Sequence, residues 1–73
     1  MSRLPIIKST ELVAILKKNG FKSIRQKGSH MRMKHEDGRV TSVPVHSGQD
    51  IGRGLLRKIL RDTELNPEDI FNL

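Results

Sequence analysis

Lys27-Gly28-Ser29-His30 places a cation, a backbone hinge, a hydroxyl and a proton-transfer group in four consecutive residues. If a strand follows the glycine, its period of two puts His30, Arg32 and Lys34 on one face. Such a set suits a phosphodiester. RNA can be cut without a metal when a base removes the 2′-hydroxyl proton, cations stabilise the phosphorane, and an acid protonates the leaving 5′-oxygen. A free imidazole titrates near pH 6.5, and neighbouring cations favour its neutral, proton-accepting form. General acid–base catalysis of this kind contributes about 10²- to 10⁴-fold, and electrostatic stabilisation of the transition state adds to it. Arg25, Lys27 and Arg32 are the candidate phosphate contacts. Gly28, without a Cβ, lets a phosphate approach backbone amides and tolerates positive φ, and Ser29 can donate to a phosphate oxygen. The same residues also fit a plain turn followed by a polar strand residue, and one histidine does not decide between the two.

His46 follows Val43-Pro44-Val45. If the second and third strands pair, it comes near His30, where it would serve either as an acid–base partner or as a loop-stabilising group. His35, beside the hairpin, is expected to face solvent. Three histidines without cysteine or coherent spacing argue against a zinc site, so no metal or cofactor is expected.

A chain of 73 residues supports one domain, 1–73, that buries only about 60% of its unfolded surface. A deep enclosed cavity is not expected. The absence of cysteine removes disulfides and thiolate chemistry and fits a reducing compartment. The longest uncharged apolar run, Leu12 to Leu16, is far shorter than the roughly 20 residues that span a bilayer. No signal-peptide pattern precedes it, so a soluble, cytoplasmic protein is expected.

Net charge is +6, and it is unevenly placed. Residues 1–34 carry nine basic residues against the single acid Glu11, whereas residues 35–73 carry five basic against seven acidic. A positive field concentrated on one half points to a polyanion partner. Phe21 and Phe71 are the only aromatics, and packing claims both. A base-stacking platform is therefore not expected, leaving phosphates, sugar hydroxyls and backbone amides as the means of contact.

These groups need a scaffold. Ser9 as N-cap, Glu11 in the first turn, Lys17 and Lys18 in the last turn and Gly20 beyond predict a helix through Asn19. Leu12, Ile15 and Leu16 form its apolar stripe, and Phe21 folds back onto its last turn. The period then changes to two, predicting antiparallel strands over Lys22–Gln26, Ser29–Glu36 and Arg39–Val45, with Asp37-Gly38 as a hairpin signal. Pro44 belongs at a strand end or edge. A two-residue loop at Asp37-Gly38 would pair His30 with Val45 and Arg32 with Val43, mixing cations and valines on one face. A bulge or longer loop is needed to separate them, and the facing stays open. A second helix is predicted from about Gly52 to Asp62, with Leu55, Leu56, Ile59 and Leu60 inward. Asn66-Pro67-Glu68-Asp69 opens a short terminal helix docked by Ile70, Phe71 and Leu73. Helix, three strands, helix and a helical tail make an α+β domain of two layers.

Taken together, Lys27-Gly28-Ser29-His30, Val43-Pro44-Val45-His46 and Gly54-Leu55-Leu56-Arg57-Lys58-Ile59-Leu60 resemble the HicA family of toxins, over nearly the whole chain. The resemblance implies a double-stranded-RNA-binding-domain-like α-β-β-β-α fold. It also implies a ribosome-independent messenger RNA interferase activity and a HicB-type antitoxin partner that holds the toxin inactive. On that resemblance His30 matches the catalytic histidine, Gly28 its preceding glycine, and His46 a recurrent family position onto which no catalytic role is carried, leaving it as an accessory candidate. Two departures concern helix ends: Glu64 stands where many relatives have glycine, and Gly52 precedes the second helix. The residues alone also allow a non-catalytic module that reads RNA duplex shape, or an interaction protein whose basic face serves an acidic partner.

Overall fold

A computed structural model describes residues 6–45, 48 and 50–71. Its elements are β1 (Ile7–Lys8), α1 (Ser9–Lys18), β2 (Phe21–Lys27), β3 (His30–His35), β4 (Val40–Pro44), β5 (Asp50–Ile51), α2 (Arg53–Thr63) and α3 (Pro67–Phe71). The three-stranded antiparallel sheet has the order β2-β3-β4, and the α+β class expected from the sequence is the one observed. Among the described residues, no helix is long and apolar enough to cross a membrane.

In α1 the i, i+3, i+4 spacing buries Leu12, Ile15 and Leu16 as expected. Ser9 is not the N-cap but the first helical residue, and it is buried. The cap position belongs to Lys8, whose backbone N–H donates to Glu11 Oε1 at 3.3 Å. Gly20, at φ 93°, turns the chain after the helix, so Phe21 enters the core at the start of β2.

In α2, Leu56, Ile59, Leu60 and Thr63 are buried, but Leu55 is 38% exposed and does not join the expected stripe. One hundred degrees per residue puts Leu55 beyond the edge of a face centred between Leu56 and Ile59. α1 packs on β2 and β4 and α2 on β4, closing a core of Leu12, Leu16, Phe21, Met33, Val43, Ile51, Leu56, Ile59 and Ile70. Ile70 docks α3 as expected; the Phe71 side chain and Leu73 lie outside the described residues.

A two-stranded ribbon was not foreseen. Ile7 pairs with Ile51 and Lys8 with Asp50, so the stretch just before α2 is partly strand. Both isoleucines are core residues, and Lys8 Nζ reaches Asp50 Oδ1 at 3.2 Å.

Glu64 occupies the left-handed region at φ 58° and closes a Schellman motif on α2, with Leu65 N–H donating to Leu60 O and Glu64 N–H to Arg61 O. A side chain with a Cβ is strained there. Glu64→Gly is therefore expected to stabilise the protein by about 1 kcal/mol, a Tm rise of about 4–8 °C for a chain of this size. A melting curve tests this, and an unchanged or lower Tm would show that the Glu64 side chain offsets its own strain.

Candidate nucleic-acid interface

The register of the central hairpin decides which side chains share a face. β3 pairs with β4 as His30 with Pro44, Met31 with Val43, Arg32 with Ser42 and Met33 with Thr41, one residue away from the pairing a two-residue loop would impose. The loop is instead Glu36-Asp37-Gly38. Gly38 N–H donates to His35 O, Gly38 takes φ 103°, and His35 N–H donates to Arg39 O. The extra loop residue separates the two chemistries that the shorter loop would have mixed. Met33, Thr41 and Val43 turn to the helices and are buried, while His30, Arg32, Lys34 and Ser42 turn outward and are exposed. Pro44 ends β4, an edge strand, as expected.

On the other side of β3 a bulge does the same work for β2. Phe21, Lys22 and Ser23 pair with His35, Lys34 and Met33, but beyond Ile24 the register moves by one, pairing Arg25 with Arg32 and Lys27 with His30. Without that extra residue, alternation would turn Arg25 and Lys27 towards the helices. With it, Phe21 stays in the core and both cations join the outer face. Ile24 is left 54% exposed.

Arg25, Lys27, His30, Arg32 and Ser42 line one open concavity of about 450 Å³. Four of the five are residues singled out from sequence. Ser42 was missed, because its place opposite Arg32 is readable only once the register is known. Gly28 and Ser29 form the two-residue loop between Lys27 and His30. Only Gly28 has positive φ, 59°, the pattern of a type II′ turn. A Cβ built there meets nothing within 4 Å, so backbone conformation, not crowding by the protein, makes the case for glycine. Ser29 is half-buried, and its carbonyl accepts Val45 N–H at 2.6 Å, tying the loop to the end of β4. His46 lies outside the described residues.

His35, expected to face solvent, is only partly exposed and is engaged in packing. Its ring meets Phe21 edge-on with centroids 5.2 Å apart, and its Nδ1 lies 3.1 Å from both the backbone nitrogen and Oδ1 of Asp37. The side chain follows Met31 and Met33 on the helix-facing parity of β3, which the one-residue change in register makes inward. Arg39 is likewise engaged. Its guanidinium bonds both Asp37 carboxylate oxygens and the Thr63 carbonyl and lies over the Phe21 ring. The backbone N–H of Arg39, followed by its guanidinium, holds the Asp37 carboxyl below the ordinary carboxylate range. This cation locks the hairpin to the end of α2 and is spent on structure.

Among the described residues, no group of three histidines, cysteines or carboxylates is placed to hold a metal. What the outer face offers is one exposed imidazole among permanent cations. An α+β fold with a basic sheet face that the described residues leave exposed is the class of protein that the structure defines. The family model for the HicA toxin of bacterial toxin–antitoxin matches residues 9–65, from the first residue of α1 to just beyond α2, and the chain belongs to that family. It is a toxin of toxin–antitoxin type. Among curated proteins, none matches the sequence.

Proposed function

We propose that the chain is a messenger RNA interferase: a ribosome-independent endoribonuclease whose outer sheet face binds RNA and whose His30 carries the proton transfer. The observation that supports it most is the convergence of His30 with Arg25, Lys27 and Arg32 on one solvent-open concavity. His30 accepts the 2′-hydroxyl proton, and the resulting oxyanion attacks the adjacent phosphorus. Arg25, Lys27 and Arg32 neutralise the charge that develops on the phosphorane. The backbone of Gly28 and the Ser29 hydroxyl provide further donors to the phosphate oxygens. Solvent water protonates the 5′-oxygen as the P–O5′ bond breaks, releasing that strand with a 5′-hydroxyl and leaving a 2′,3′-cyclic phosphate on the other, and the proton taken by His30 returns to solvent.

The expected partner beyond RNA is a HicB-type antitoxin that covers the basic face and closes access to His30, adding stability by binding the folded state alone.

The purified chain should cleave single-stranded RNA in the presence of a chelator and give cyclic phosphate ends. A substrate with 2′-deoxyribose at the cleaved position should resist, because the attacking hydroxyl is gone. Loss of activity on chelation, or cutting of the deoxy substrate, would remove the mechanism. Binding that prefers duplex RNA and yields no products would instead favour a non-catalytic module.

A further inference from the structure

The basic face does not end at the candidate cleavage site. Three cross-strand rungs of β2 and β3 point outward: Lys27 opposite His30, Arg25 opposite Arg32, and Lys22 opposite Lys34. Five of the six groups are permanent cations. Among the described residues, none of the five forms an ion pair with a carboxylate. Like charges directly opposite each other on a sheet are destabilising, and no ion pair within the described residues offsets that repulsion here, Glu36 being the one carboxylate that shares the concavity of Lys22 and Lys34. A polyanion lying along the rungs would relieve it.

The far rung has its own concavity, of about 280 Å³, lined by Gly20, Lys22, Ile24, Lys34, His35 and Glu36. From His30 to Lys34 the strand advances about 13 Å, a run too long for one phosphate group and suited to successive phosphates of one strand. Ile24, put outside by the bulge, adds an exposed apolar surface in a track whose one described aromatic neighbour, Phe21, is buried.

We propose that Lys22, Lys34 and Ile24 form a second subsite that holds the same RNA strand away from the scissile linkage. The lysines take phosphate and Ile24 packs against a ribose or base. The inference rests on the reading of the face as an RNA-cutting site. It goes beyond that reading by assigning substrate length and strand path: the RNA runs along β2 and β3 and not across them.

The test compares a trinucleotide with a single strand of about twenty nucleotides, using the full chain and a Lys22→Gln/Lys34→Gln double variant. The wild-type advantage in kcat/KM of the long substrate over the short one is expected to fall about tenfold in the double variant. The slope of log affinity against log salt for the long strand should flatten by about 1.4, two contacts at about 0.7 each. Tm should rise, since removing opposed charges relieves the rung; a purely structural pair would lower it. Ile24→Ser should weaken long-strand affinity with the salt slope unchanged. A double variant that keeps the length advantage and the slope overturns the subsite even if wild-type cleavage is robust. Binding measured with His30→Ala separates the two failures: if the wild type never cuts but the lysine variant still loses long-strand affinity, the nuclease reading falls and the track remains.

Discussion

His30→Ala is expected to lower RNA cleavage by about 10²- to 10⁴-fold, the range that general acid–base catalysis supplies, while leaving Tm and the circular dichroism spectrum unchanged. The asymmetry follows from where the residue sits. His30 is exposed on the outer face, and among the described residues its side chain makes no hydrogen bond or ion pair, so its removal leaves no buried group unsatisfied. RNA affinity should change little, because Arg25, Lys27 and Arg32 remain. A kcat that collapses while KM stays near the wild-type value marks an interaction made in the transition state. His35→Ala provides the contrast: its ring packs against Phe21 and the Asp37 turn, so that variant should melt at lower temperature. Growth arrest that survives His30→Ala in cells would take the proton-transfer role away from this residue.

The two histidines also show what was legible in the sequence. His30 stands out by its neighbours, since Lys27, Gly28 and Ser29 form a local pattern with its own chemistry, and the structure settles the facing that the sequence left open by exposing it beside Arg32 and Lys34. His35 differs from its expectation because its place beside the hairpin suggests solvent, whereas it shares the side of Met31 and Met33, and only the longer loop Glu36-Asp37-Gly38 fixes that side as the one towards the helices. Asp37 accepts Arg39 N–H from inside that loop, and Gly38 takes its last, left-handed position. The two longer helices, α1 and α2, are readable from apolar spacing, although Leu55, expected inward, is exposed. The β1–β5 ribbon did not, because two residues in each strand are too few to show alternation. The bulge at Ile24 has a faint signal in retrospect. An isoleucine flanked by Ser23 and Arg25 looks inward-facing by type, yet both Phe21 and the cations demand that it give way.

That demand is answered from the other side of the sheet, and Met33→Ala is expected to cost about 2–5 kcal/mol of stability. Met33 is fully buried at the centre of β3, opposite Ser23 on β2 and Thr41 on β4. Its burial turns Arg32 and Lys34 outward, because side chains alternate along a strand. A slip of one residue would expose the methionine and drive two unpaired cations into the core, each at several kcal/mol. The core therefore specifies the register of the basic face as well as its stability. A chain of this length has a total stability of about 4–11 kcal/mol, so truncating Met33 removes a large share of it. Met33→Leu keeps nearly the same volume and should cost less than about 1.5 kcal/mol. Urea denaturation of the two variants separates packing from side-chain identity, with the alanine midpoint well below that of leucine. RNA binding under conditions where the alanine variant remains folded should match the wild type, and saturating RNA should raise its apparent midpoint by mass action. If the alanine variant denatures at the wild-type midpoint, another contact holds β3 in register and Met33 is not the anchor that aims the cations.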